Sequence, residues 1–136
     1  MKMTKCIPAL PVRSIGQSID FYSNKLGFSV PHQDDGFAVL ARDGVEIHLW
    51  AASDEKWKIS NAAVSRGPII SGAESFLAGT ASCRIEVEGI DELFAEYKKQ
   101  GVTYNPDTVV ETKPWGTREF PAVDHHRNLL TFYERY

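Results

Sequence analysis

Residues 14–28 read SIGQSIDFYSNKLGF, a stretch that predicts a helix ending in a sharp turn. Ser14 and Gln17 have the Ser-x-x-Gln spacing of a capping box, in which two side chains satisfy free backbone donors at a helix start. Apolar residues then recur at spacings of four, three and four, at Ile15, Ile19, Tyr22 and Leu26. This spacing places them on one helical face, which we expect to be buried. Gly27 is the expected helix-ending residue.

Predicted strands surround this helix. One strand precedes it and three follow, over residues 7–12, 28–30, 36–41 and 45–50. Asp43-Gly44 separates the last two strands, and Asp-Gly between alternating apolar runs is a strong signal for a tight hairpin. The first part of the chain is therefore predicted to be strand, helix, three strands.

The same order recurs over residues 81–135. A strand over 81–87 precedes a helical face that ends at Gly101, the counterpart of Gly27. The apolar residues of this face are Ile90, Leu93, Phe94 and Tyr97. Later strands are predicted from 102–104 and over 109–111, 118–123 and 128–133. Matching the last hairpins equates Phe37 with Phe120 and Ile47 with Leu130.

Self-similarity of this kind predicts a duplicated fold, here an α+β domain of two βαβββ modules. We expect a single domain over 1–136, with the first module at 5–50, a linker at 51–80 and the second module at 81–136. The linker contains Trp57 among several apolar residues, which favours a packed lid or crossover over a free tether.

Composition narrows the function classes. The 136 residues are 43% hydrophobic, and 15 basic against 18 acidic residues give a net charge of −3. This balance argues against nucleic acid as a partner, and no apolar run reaches the ~18–20 residues that span a bilayer. The start of the chain does not resemble a signal peptide, so we expect a cytoplasmic protein. Cys6 and Cys83 are expected to be buried thiols.

Several segments carry a family resemblance. They are residues 7–12 (IPALPV), 18–22 (SIDFY), 26–28 (LGF), 35–38 (DGFA), 89–93 (GIDEL) and 114–120 (PWGTREF). With the duplicated module, they resemble the vicinal-oxygen-chelate (glyoxalase/bleomycin resistance/dioxygenase) superfamily, and within it the bleomycin-binding proteins. The resemblance implies the glyoxalase/bleomycin-resistance fold. It also implies metal-independent sequestration of a bleomycin-like or other planar, cationic antibiotic, with no catalytic residues and no cofactor.

The resemblance also implies ligand-binding residues. Phe37 and Trp115 match the aromatic pair that stacks on the drug. The other candidates are Gly116, His48, Trp50, Glu46 and Asp35. Plainer roles stay open, because Phe37 alternates on a strand and is equally compatible with the core, and Asp35 is also typical of a solvated turn. Arg118 and Glu119 are expected to form a structural or interface pair.

The alternative function is a metal-dependent lyase, isomerase or dioxygenase of the same superfamily. Metal-binding members hold their ion at four repeat-related positions, which here are Ile7, His48, Ser82 and Thr131. Only His48 is a good ligand, so no metal is expected. Glu46 and His48 lie two apart on one strand and face the same side, where they fit either proton transfer or a cationic ligand.

Two further expectations concern the last hairpin and the assembly. The adjacent His125 and His126 are expected to be a solvated turn pair rather than a metal site, since neighbouring strand residues point different ways. The resemblance implies a homodimer that exchanges its N-terminal strand. Pro8 and Pro11 suit such an edge segment because proline lacks a backbone donor.

Overall fold

A computed structural model describes residues 1–52 and 77–136 of the chain. The predictions for Trp57 and for most of the 51–80 linker lie outside these residues. The first half contains β1 (Ala9–Val12), α1 (Ile15–Asn24), β2 (Ser29–Gln33), β3 (Phe37–Arg42) and β4 (Val45–Ala51). The second half contains β5 (Ser82–Glu86), α2 (Ile90–Gln100), β6 (Glu111–Lys113), β7 (Thr117–Val123) and β8 (Leu129–Arg135).

The strands form two similar four-stranded sheets. The first sheet has the order β1-β4-β3-β2 and the second has the order β5-β8-β7-β6. In each sheet the first strand runs parallel to the last, and the other pairs are antiparallel. The predicted α+β class with two βαβββ modules is confirmed. No helix in the described residues is long and apolar enough to cross a bilayer.

The second module departs from prediction before its last hairpin. The strand expected from 102–104 is only an isolated bridge between Thr103 and Ala122. The strand expected at 109–111 instead begins at Glu111. The intervening residues form a turn in which the Asn105 side chain accepts a hydrogen bond from the Asp107 backbone N–H at 2.8 Å. Such a side-chain turn ends the ladder that the apolar pattern alone suggested.

Strand register corrects one predicted equivalence. Ile47 pairs with Leu40 in the first sheet, and its counterpart Leu130 pairs with Ala122 in the second. Counting back three residues along each strand makes Glu119, not Phe120, the counterpart of Phe37. A shift of one residue moves a side chain to the other face of a sheet. Accordingly Phe120 is fully buried, whereas Phe37 is only half-buried.

The start of α1 combines a predicted contact with an unpredicted one. The Ser14 hydroxyl accepts a hydrogen bond from the Gln17 backbone N–H at 3.2 Å, as a capping box requires. The reciprocal bond is replaced, because the Ser14 N–H donates to Nε2 of His126 at 3.4 Å. The Gln17 side chain contacts His125 instead, at 3.2 Å. The prediction of a solvated turn pair holds for His125, which is exposed, but not for His126, which is half-buried because the turn packs on the other module's helix.

A buried carboxylate fixes this packing. Asp124, in the same turn, is 3% exposed and accepts a 2.9 Å hydrogen bond from the Tyr22 hydroxyl of α1. Asn128 donates to Asp124 through both its backbone and its side chain, at 2.9 and 3.0 Å. The reverse contact also exists, because Arg42 at the end of β3 donates to Glu96 of α2 at 2.8 Å. Each module therefore binds the helix of the other through its last hairpin.

The cysteines differ from expectation. Cys6 is exposed, because it lies in the N-terminal arm before β1, so its prediction as a buried thiol is wrong. Cys83 is half-buried on β5. Burial and the nearby Asp124 raise the pKa of the Cys83 thiol to about 11, which keeps it protonated at neutral pH.

Candidate functional site

The outer face of the first sheet carries four of the candidate residues. Along β4, Ile47 and Leu49 are fully buried against the core. Side chains alternate across a strand, so Glu46, His48 and Trp50 lie on the opposite, outer face and are half-buried. Phe37 on β3 pairs directly with Trp50, and it shares that face.

Aromatic contacts organise this face. The rings of Phe37 and Trp50 are 4.5 Å apart between centroids, and Phe37 meets the His48 ring edge-on at 5.1 Å. Both separations are in the range in which aromatic pairs attract each other. Phe37 is thus outside the hydrophobic core, although its alternation on a strand was equally compatible with a core position. The Trp50 indole nitrogen is buried with no hydrogen-bond acceptor within residues 1–52 and 77–136.

The acid on this face is already balanced by a cation. Glu46 accepts a 2.7 Å bond from the Lys5 ammonium and lies 2.6 Å from Nε2 of His48. The bond from Lys5, and then the one from His48, lower the pKa of the Glu46 carboxyl. Glu46 and His48 do share a side of β4. Their arrangement offers a hydrogen-bonding pair to a ligand, with the negative charge of Glu46 partly neutralised by Lys5.

The four positions that hold a metal in metal-binding relatives carry few metal-ligating side chains here. Ile7 is exposed before β1, Ser82 begins β5 and Thr131 lies within β8. His48 is held by Glu46. Among the described residues no three His, Cys, Asp or Glu side chains are grouped as a metal site requires.

Trp115 and Gly116 lie on the second sheet, in the turn between β6 and β7. Gly116 has a φ of +92°, which a residue without a side chain adopts at no steric cost. Trp115 is 62% exposed. Its indole N–H donates a long hydrogen bond of 3.4 Å to Glu119, and the Lys113 ammonium lies 5.8 Å from its ring centroid.

Sequence reasoning missed the charged network next to Trp115. Glu119 is 8% exposed and binds Arg84 on β5, whose guanidinium nitrogens lie 3.3 and 2.8 Å from its two oxygens. This pairing lowers the pKa of the Glu119 carboxyl to about 2. The expected Arg118–Glu119 pair is wrong, because neighbouring residues of β7 face opposite sides and Arg118 binds Asp91 of α2 at 2.8 Å.

Arg84 extends the network to a further aromatic ring. Its guanidinium lies 4.7 Å from the ring centroid of Tyr133, which is directly opposite Glu119 on β8. Neither Arg84 nor Tyr133 has a sequence signal that identifies it. Phe37 is equivalent to Glu119, and Trp50 is therefore equivalent to Tyr133. This equivalence alone indicates that the two sheets present similar outer faces.

The structure therefore groups Phe37, Glu46, His48 and Trp50 on one sheet and Trp115 with Gly116 on the other. Asp35 is exposed in the turn before β3.

Two cavities of about 600 Å³ each occur in the described part of the chain. One lies between the β3–β4 turn and α2, the other between α1 and the β2–β3 turn, and of the candidates only Asp35 lines either of them. Neither of these two cavities, which lie in the described residues 1–52 and 77–136, includes the aromatic side chains of the candidate site.

Known proteins are similar to this chain in sequence and in fold. Residues 7–132 match the model of the Glyoxalase/Bleomycin resistance protein/Dioxygenase superfamily. Proteins named bleomycin resistance protein, from Geobacillus stearothermophilus and Staphylococcus aureus, are 50% identical over 133 residues, covering 98% of this chain and 98% of theirs. A bleomycin-binding protein of Streptomyces verticillus, solved with copper(II)-bleomycin, has a TM-score of 0.72 at 23% identity, covering 97% of this chain and 96% of that one.

Proposed function

Because the chain belongs to the Glyoxalase/Bleomycin resistance protein/Dioxygenase superfamily, we propose that it binds an antibiotic of the bleomycin type, or a similar planar cation, and confers resistance by sequestration. The observation that carries this proposal is the 50% identity to bleomycin resistance proteins along 98% of both chains. No metal and no catalytic residue takes part in the proposed binding. We place the activity in the cytoplasm.

The outer faces of the two sheets supply the chemistry for such a ligand. Phe37 and Trp50 on one sheet, and Trp115 on the other, offer ring faces on which a flat heteroaromatic group stacks. Glu46 with His48 offers hydrogen bonds, and Gly116 lets the ligand approach the backbone of the turn. Asp35 adds a negative charge at the edge of the first sheet, and it attracts a cationic group.

We further propose that two chains complete each site by dimerising, with exchange of the N-terminal strand. Three features support this. Neither cavity found in residues 1–52 and 77–136 includes the aromatic side chains of the candidate site, Met1 and Met3 are fully exposed in the arm before β1, and Pro8 precedes β1 while Pro11 lies within it, at the sheet edge. Sedimentation at micromolar concentration tests the proposal. A dimer is expected, and a monomer would contradict it.

Sequestration is distinguished from catalysis by the fate of the drug. The protein is incubated with a small excess of bleomycin and the complex is isolated. The ligand is then released, and its mass is measured by mass spectrometry. We expect an unchanged mass and one drug molecule per chain. A modified drug, or turnover that appears only after a divalent metal is added, would instead support the alternative lyase, isomerase or dioxygenase.

A further inference from the structure

Glu119 is a buried acid next to the most exposed aromatic residue of the candidate site. Its carboxylate accepts hydrogen bonds from three side chains. Arg84 donates twice, at 3.3 and 2.8 Å, and the Thr117 hydroxyl donates at 2.7 Å. The third donor is the indole N–H of Trp115, at 3.4 Å. Two partners therefore fix the carboxylate, and the carboxylate in turn contacts the indole.

Trp115 has few other contacts to residues 1–52 and 77–136. It lies in a turn, is 62% exposed, and has the Lys113 ammonium 5.8 Å from its ring centroid. A bond of 3.4 Å is long and therefore weak, so it favours one orientation of the indole edge, and the 62% exposure leaves a ring face open. A side chain that is ordered before the ligand arrives loses less conformational entropy on binding.

The geometry points to Glu119 as a positioning residue, which we propose holds the indole of Trp115 in the orientation that stacks on the ligand. This inference rests on the proposed function, which assigns Trp115 to the ligand site. The two sheets differ at this position. At the position of Glu119 the first sheet has Phe37, which contacts the aromatic ring of Trp50 directly. The second sheet has Glu119 there, and its carboxylate contacts the indole of Trp115, four residues earlier in the chain.

The test compares affinities for metal-free bleomycin among Glu119→Gln, Trp115→Phe and the double variant. We expect Glu119→Gln to bind at least fivefold more weakly than wild type. In the Trp115→Phe background the same change should alter affinity less than twofold, because phenylalanine has no N–H to hold. Asp91→Asn is the matched control and should stay within twofold, since it breaks a bidentate pair with Arg118 on the other face of β7.

A spectroscopic readout separates positioning from general stability. The indole N–H resonance of Trp115, identified by its loss in Trp115→Phe, should shift in ligand-free Glu119→Gln and stay in place in Asp91→Asn. If Glu119→Gln does not fold, Thr117→Val removes one donor to the carboxylate and should shift the resonance and weaken binding in the same direction.

Two results would overturn the inference. One is an unshifted resonance, and the other is an equal loss of affinity from Glu119→Gln in both backgrounds. If wild-type protein binds no bleomycin, the proposed function fails, and the resonance alone decides whether Glu119 holds Trp115.

Discussion

Replacing Trp115 by alanine should weaken ligand binding strongly and folding hardly at all. A tryptophan side chain offers up to about 250 Å² of surface, so 62% exposure leaves roughly 150 Å² for a ligand. Covering half of it at about 25 cal/mol per Å² contributes about 2 kcal/mol, and ring stacking adds about 0.5–1.5 kcal/mol. We therefore expect Trp115→Ala to reduce affinity by about 2.5–3.5 kcal/mol, or roughly 60- to 300-fold.

Calorimetric titration with metal-free bleomycin measures this loss, and urea unfolding measures stability. Tyr104→Ala is a suitable control, because Tyr104 is also exposed, at 49%, but lies in the loop before β6. It should bind like wild type. An affinity of Trp115→Ala within threefold of wild type would refute the stacking role. A large loss of folding stability would instead show that Trp115 acts in packing.

Three other outcomes are expected. Tyr22→Phe removes a buried hydrogen bond to the Asp124 carboxylate and should lower the free energy of unfolding by about 1.5–3 kcal/mol in urea titrations, and an unchanged value would contradict the account of module packing. The pKa of Glu119 is about 2 when folded, below its ordinary value of 4.5, so its stabilising contribution is complete above pH 4.5 and is lost as the pH falls toward 2. In urea titrations across this range, the free energy of unfolding should fall less steeply with falling pH in Glu119→Gln than in wild type. Parallel profiles would argue against a lowered pKa of Glu119. Cys6 should react with a thiol reagent at pH 7.5 much faster than Cys83, whose pKa is about 11, and comparable rates would contradict the burial of Cys83.

Local patterns predicted the elements that local physics determines. Helix α1 follows from the spacing of its apolar residues and from the Ser14 cap, and the hairpin at Asp43-Gly44 follows from its turn residues. The duplicated order of elements followed because the same kinds of local pattern occur in both halves of the chain. Strand β6 was displaced because an Asn105 side-chain turn competes with the ladder, and that competition is not visible in apolar periodicity.

The candidate site was harder to predict because its contacts are long-range. Glu46 and His48 are two residues apart, so their common face follows from strand alternation. Glu119 and Arg84 are 35 residues apart, and only the pairing of both β5 and β7 with β8 brings them to one face. The register error at Phe37 had the same origin. The second hairpin has a longer turn than the first, so an equivalence based on the two phenylalanines is out of register by one residue on one strand.

Calorimetric titration of the chelator-treated protein with metal-free bleomycin tests the central claim most directly. The account predicts saturable binding of one ligand per chain, with a dissociation constant of about 1 μM or tighter, that weakens at higher salt because a cationic ligand meets an acidic protein. The absence of binding, or binding that requires an added divalent metal, would contradict metal-independent sequestration.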